Sequence, residues 1–110
     1  MAAAFVLKSS GSKFHFNLRA GNNETILTSE LYEKKDSALN GIESVRKNAP
    51  DDARYERKTA SNGDPFFVLK STNGQVIGKS EMYSSTSARD NGIQSVTKTA
   101  PSAPLDDKTE

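Results

Sequence analysis

A glutamate followed two residues later by a tyrosine occurs twice in the chain, as Glu30/Tyr32 and Glu81/Tyr83. Two carboxylates brought onto one surface can share acid and base work or hold a cation, and two phenols can recognise a ligand. The plainer role is structural, with each tyrosine covering a core edge and each glutamate pairing with a lysine or a backbone amide. Asn40-Gly41 and Asn91-Gly92 recur in the same manner. A carboxamide at that position reads either a ligand amide or a neighbouring loop carbonyl. Other chemistry-bearing types are sparse. His15 is the single histidine, so a Ser/His/Asp arrangement has one candidate base. With no cysteine there is no thiolate nucleophile and no His/Cys set for zinc, and no spaced acidic loop fits calcium. The glycines are scattered at turns and in helices rather than gathered in a phosphate-binding loop. No catalytic residue, metal or cofactor is expected, and an enzyme would have to work through carboxylates or lysines.

These residues are placed by a duplication. Shifting the chain by 51 residues aligns 14–50 with 65–101 without a gap, giving 15 identities in 37 positions. In each copy a strand comes first: Phe14, Phe16 and Leu18 alternate with His15, Asn17 and Arg19, the period of a half-buried strand. A two-residue connection, Asn22-Asn23 or Asn73-Gly74, predicts a type I′ hairpin turn into a second strand, Thr25–Thr28 or Val76–Lys79. Segments 4–8 and 54–59 read as a further strand, with Phe5 to Lys8 matching Tyr55 to Lys58 once the second copy holds one extra loop residue. Helices begin near Asp36 and Ser87, both good N-cap types, and Ser87 with Asp90 makes a weaker capping box. Ala38, Ile42, Val45 and Ala49 share one helical face, repeated as Ile93, Val96 and Ala100 with Arg89 in place of Ala38. Ala-Pro closes both helices. A mid-helix glycine costs about 1 kcal/mol relative to alanine, so Gly41 and Gly92 predict a close approach of helix to sheet.

The predicted unit is βββα, present twice, at about 4–50 and 54–101, within one compact domain over 1–104. Fifty or so residues is near the lower limit for an independent core, so the copies are expected to share one. That gives an α+β fold of two tandem repeats related by pseudo-two-fold symmetry. Its antiparallel sheet, of six strands, carries both helices on one face. Residues 105–110 read as a disordered tail.

The repeated block is Ser29-Glu30-Leu31-Tyr32 with Asn40 to Pro50, and Ser80-Glu81-Met82-Tyr83 with Asn91 to Pro101, preceded by Phe16-x-Leu18 and Phe67-x-Leu69. It resembles the YegP-like family of small bacterial proteins in its duplicated form, over roughly residues 4–101. The resemblance implies an α+β fold of two repeats and brings no activity, substrate or cofactor with it. Copy one departs from it with Asn23 where copy two has the turn glycine, Gly74.

A formal net charge of +1 from 15 basic and 14 acidic side chains gives no electrostatic reason to expect nucleic acid or an anionic membrane. No segment approaches the roughly 18 apolar residues that span a bilayer, and the short apolar start lacks the charged region of a secretory signal. A cytoplasmic setting is expected, which a cysteine-free chain suits. One asymmetry bears on partners: the outward strand face carries His15, Asn17 and Arg19 in copy one but Phe66, Val68 and Lys70 in copy two. Phe66 and Val68 there predict an interaction patch. The expected function is a small non-catalytic domain that binds a protein, a peptide or a second copy through a sheet face or edge. The alternative is a small-ligand binder or enzyme built on the Glu/Tyr pairs, with nucleic-acid binding last.

Overall fold

The computed structural model describes residues 3–22 and 24–109. In chain order the elements are β1 (Ala4–Ser10), β2 (Lys13–Arg19), β3 (Thr25–Thr28), α1 (Lys35–Asn48), a single 3₁₀ turn (Asp52–Arg54), β4 (Tyr55–Thr59), β5 (Pro65–Lys70), β6 (Val76–Lys79), α2 (Thr86–Thr99) and β7 (Leu105–Asp107). The strands form one sheet in the order β4-β5-β6-β3-β2-β1-β7. Two antiparallel meanders meet where β3 pairs with β6, and there Thr28 lies opposite Lys79, its own counterpart 51 residues on.

The alternation of the strands sets the register. Phe5 lies opposite Leu18 and Leu7 opposite Phe16, while Tyr55 lies opposite Leu69 and Arg57 opposite Phe67. Phe5 and Tyr55 are therefore equivalent, as the extra loop residue requires. Each meets the next strand's phenylalanine edge-on, at 6.0 Å and 71° for Phe5–Phe16 and 5.7 Å and 69° for Tyr55–Phe67. α1 packs on β2, β5 and β6, and α2 on β3 and β5, so each helix touches strands of both repeats. Phe5, Phe16, Leu18, Ile42, Val45, Phe67, Leu69 and Val96 are buried together in one core. Burying each large side chain contributes about 1.5–3 kcal/mol, much of which a lone repeat would lose. The repeats are not identical at their junction. Gly78 stands where Leu27 stands in copy one, and a Cβ there would lie 2.6 Å from Leu27 Cγ. The space holds one leucine.

Three local expectations are corrected. The β5–β6 connection is a three-residue loop, not a two-residue type I′ turn. Ser71 N–H donates to the Gln75 carbonyl at 2.9 Å, Gly74 N–H to that of Ser71 at 3.0 Å, and Gly74 closes the loop at φ +83°. The Asn73 carboxamide accepts the Gln75 N–H, and Asn22 does the same for Glu24, at 3.1 Å in each case. Asn23, the other half of the expected copy-one turn, lies outside the described residues. The helices start a residue early: α2 is capped by Ser85, whose hydroxyl accepts the Ala88 N–H, and α1 begins after Lys34 with no side-chain cap. Asp90 makes no capping box and instead meets Arg57 and Arg89, at 3.4 and 3.2 Å.

The third correction concerns 105–110. Leu105–Asp107 forms β7 rather than part of a disordered tail, and Glu110 lies outside the described residues. β7 runs parallel to β1, so the sheet has seven strands and is not wholly antiparallel. Phe5 N–H donates to the Pro104 carbonyl and Lys108 N–H to that of Leu7, both at 2.8 Å, and Lys35 reaches Asp107 at 2.7 Å. Backbone bonds and an ion pair hold this strand on the edge of β1, while its side chains stay exposed. A composition-based reading of order looks for buried apolar groups and finds none here.

Candidate functional site

After β3 and β6 the chain stays extended alongside β2 and β5, and serine makes this possible. Ser29 Oγ accepts the Phe16 N–H at 2.9 Å and donates to the Glu30 carbonyl at 2.8 Å. Ser80 repeats both bonds with Phe67 and Glu81. Tyr32 then exchanges two backbone bonds with Phe14, whereas Tyr83 keeps only its N–H bond to the carbonyl of Pro65, because proline has no N–H to return. The Tyr32 ring stacks on Phe16 at 6.3 Å and 9°, and Tyr83 on Phe67 at 6.3 Å and 11°.

The helix glycines make room for these stacks. A Cβ on Gly41 would lie 2.5 Å from Tyr32 Oη and 3.0 Å from Phe16 Cε2, and one on Gly92 would lie 2.7 Å from Tyr83 Cζ. Burial first, and then the nearby carboxylates, push both phenols above their ordinary range: Glu30 acts on Tyr32, and Glu81 and Glu24 act on Tyr83. Both hydroxyls therefore stay protonated at neutral pH.

The glutamates between serine and tyrosine turn outward. Glu30 and Glu81 are exposed, and neither carboxylate has an ion pair or hydrogen bond among the described residues. They sit two residues beyond the Thr28–Lys79 pair on opposite sides of it, roughly 13 Å apart at about 3.3 Å per residue. The two Glu/Tyr pairs therefore do not converge as one four-residue cluster. Asn40 and Asn91 are likewise exposed, and no side-chain hydrogen bond ties either to a loop among the described residues.

Two grooves adjoin these residues. A seam groove of about 400 Å³ runs over the β3–β6 junction, with Val68, Val76 and Met82 as its apolar lining and Glu30 and Glu81 both on it. A second groove, of about 660 Å³, lies between the β2–β3 hairpin of copy one and the post-β6 segment and α2 of copy two. It is lined by Asn22, Glu24, Glu81, Tyr83, Asn91 and Ser95 among others. The predicted apolar patch is mostly closed. Val68 is only 5 % exposed, and Lys79 Nζ sits 5.2 Å above the half-buried Phe66 ring, a cation–π lid. The exposed large apolar side chains are instead Leu31 and Met82, counterparts within the two Ser-Glu-x-Tyr blocks, and Leu105 on β7.

The single histidine and the third tyrosine stand apart from both grooves. His15 lies opposite Lys8, its Nδ1 is buried, and it has no carboxylate partner among the described residues. Tyr55 is structural: its hydroxyl donates to the Ala49 carbonyl at 2.8 Å and accepts from Thr97 at 3.2 Å, and burial pushes its pKa up to about 12. Among the described residues no group of three or more His, Cys, Asp or Glu is placed to hold a metal, and no helix is long and apolar enough to cross a membrane. Sequence reasoning missed Met82, Ser95 and Glu24 as groove residues. Ser95 carried a usable signal, since it repeats Ser44, whereas Glu24 has Gln75 as its counterpart and carried none.

A seven-stranded sheet, two helices and a duplicated block define a small two-repeat α+β domain. The family model DUF1508, described as a domain of unknown function, matches the chain twice, over residues 9–56 and 60–107. The chain is 62% identical over 110 residues to a UPF0339 protein of Bordetella pertussis, covering 100% of this chain and 99% of that protein. It is 54% identical to the UPF0339 protein YegP of Escherichia coli K12, covering 99% and 100%. The solution NMR structure of E. coli yegP, described as a protein of unknown function, superposes with a TM-score of 0.92 at 53% identity, over 99% of this chain and 95% of that one. That of a UPF0339 protein from Shewanella oneidensis gives 0.91 at 53% identity, over 99% and 93%. The chain belongs to the UPF0339 (DUF1508) family, as its repeated block implied. Each family match ends in the strand that follows a helix, so the second takes in β7.

Proposed function

We propose that this chain is a non-catalytic cytoplasmic binding module whose seam groove takes an apolar side chain flanked by basic residues on a segment of another protein. The observation that carries the reading is the seam groove itself: Val76 and Met82 line it over a nearly buried Val68, Glu30 and Glu81 bring carboxylates unpaired among the described residues, and its one lysine, Lys79, is drawn over the Phe66 ring. An apolar anchor buries against such a lining while the exposed carboxylates favour cationic neighbours and speed encounter. The architecture behind it is two βββα repeats about a pseudo-two-fold axis through the Thr28–Lys79 pair, with both helices over one face and the seam on the other. The self-pairing of Thr28 with its own counterpart supports the axis. The inward register of Phe16, Leu18, Phe67 and Leu69 beneath α1 and α2 supports the single covered face. Strand-to-strand self-association is the weaker reading. The terminal strand β4 carries Glu56, Arg57 and Lys58, charges that discourage edge pairing, and β1 is already covered by β7.

The test is an array of short peptides with a central leucine flanked by lysines, by serines or by glutamates, scored by fluorescence polarisation. The lysine-flanked peptides are expected to bind most tightly and to weaken as salt rises. Met82→Ser is expected to cost at least fivefold in affinity, and Glu30→Lys with Glu81→Lys to abolish the lysine preference. Equal binding of lysine- and glutamate-flanked peptides, or unchanged affinity in Met82→Ser, would overturn the proposal.

A further inference from the structure

The larger groove lies on the other side of the Glu81–Met82 ridge, two residues that line both grooves. Its polar lining comes from both repeats: Asn22 and Glu24 from the first, and Glu81, Tyr83, Asn91 and Ser95 from the second. Five of these six have the same residue at their repeat counterparts, Asn73, Glu30, Tyr32, Asn40 and Ser44; Glu24, opposite Gln75, is the exception, as is the further polar lining residue Thr25, opposite Val76. Structure accounts for two of the five. Asn22 closes its hairpin loop and Tyr83 stacks on Phe67. Glu81, Asn91 and Ser95 make no side-chain hydrogen bond or ion pair among the described residues, yet all three face the groove.

We infer that this inter-repeat groove is a binding site for a small polar molecule that carries a primary ammonium and at least one further hydrogen-bonding group. Glu24 and Glu81 supply its two carboxylates, and no lysine or arginine is among its described lining residues. An ammonium is a ligand group that can donate to both carboxylates, and its single positive charge offsets one of their two negative charges. The Asn91 carboxamide and the Ser95 hydroxyl offer donors and acceptors together, which selects a ligand with hydroxyl or amide groups beside its amine. The Asn22 carboxamide is already engaged with Glu24, donating to its Oε1 at 3.0 Å and accepting its backbone N–H at 3.1 Å. Tyr83 adds a protonated phenol, and both carboxylates act on that phenol electrostatically. The volume, about 660 Å³, is in the range of small-molecule sites. On the pseudo-equivalent side the groove differs: Asn40 and Ser44 are joined by two carboxylates, Glu43 and Asp51, and by two cations, Lys47 and Arg54, so the charges there balance. The duplication has left one copy of the pattern suited to a cation.

The experiment is backbone amide chemical-shift mapping with glucosamine, 2-aminoethanol and glycinamide as ammonium probes. Glucose, N-acetylglucosamine and ethylene glycol serve as neutral controls. The expected result is saturable shifts at Glu24, Tyr83, Asn91 and Ser95 with at least one ammonium probe and none with its neutral match. Glu24→Gln and Asn91→Ala, both at exposed positions, are expected to weaken that binding at least fivefold while leaving the rest of the spectrum unchanged. Failure of all three probes to shift these amides, equal shifts with the neutral molecules, or undiminished binding in Glu24→Gln would overturn the inference. Glu81 and Met82 line both grooves, so the two readings are told apart at residues that line only one: Val68, Val76 and Glu30 for the seam, and Glu24, Asn91 and Ser95 here.

Discussion

Gly92 and Tyr83 illustrate how a repeated residue can be retained for packing alone. Replacing Gly92 by alanine gains helix propensity worth about 1 kcal/mol, but the new Cβ would lie 2.7 Å from Tyr83 Cζ. Overpacking of that kind costs about 1–3 kcal/mol, because the stacked ring has to leave Phe67 to make room. Gly92→Ala is therefore expected to lower the urea midpoint, and adding Tyr83→Phe, which removes the hydroxyl crowding the same spot, to recover part of the loss. A midpoint that rises in Gly92→Ala would refute the packing role. The glycines were legible from their helical register, since two helix-weakening residues at the same position need a steric reason. That the steric partner is a tyrosine nine residues earlier was not legible, because it depends on how the extended Ser-Glu-x-Tyr segment lies along the neighbouring strand. The glutamates show the converse. Their retention was plain in the sequence, but only the structure shows that they are exposed and have no hydrogen bond or ion pair among the described residues.

At the scale of elements, the strands and helices that bury an apolar stripe stand out in the pattern of Phe14 to Leu18 and of Ala38 to Ala49. β7 does not, because backbone bonds and the Lys35–Asp107 pair hold it rather than burial. Asp107 is drawn down to about 2 by its bond to Lys35 and then by those to Thr109. Its folded-state value is thus below its ordinary 3.8, so the stabilisation it gives is present above that value and is lost as pH falls toward about 2. Asp107→Asn is expected to speed amide exchange at Lys108, whose N–H bonds to the Leu7 carbonyl, at neutral pH without loosening β2 or β5. In the wild type the same protection is expected to fall between pH 4 and 2 ahead of global unfolding. Unchanged exchange at Lys108 in the variant would show that the ion pair does not hold the strand. The three-residue loop ending in Gly74 was missed for a related reason: Asn-Gly suits both loop types, and the bulge in the flanking ladder decides between them.

For the whole molecule, the duplication explains most of the architecture, and its breakdown points to function. Both helices span the junction, the core is common, and Leu27 and Gly78 show that one copy yields where the halves meet. The apolar identities, Ser29 and Ser80, and the tyrosines and glycines of the repeated block all have packing or hydrogen-bonding duties. Glu30, Glu81 and Asn91 have none among the described residues, and they lie on the two grooves assigned here to ligands. Thermal and urea unfolding of the combined Glu30→Ala, Glu81→Ala and Asn91→Ala variant tests that division of labour most directly. Exposed residues without partners change stability by about 0.5 kcal/mol or less, and alanine at position 91 favours the helix, so stability equal to or slightly above the wild type is expected. A loss of more than about 1 kcal/mol would mean that these residues hold the fold together, and would remove the reason for assigning them to binding.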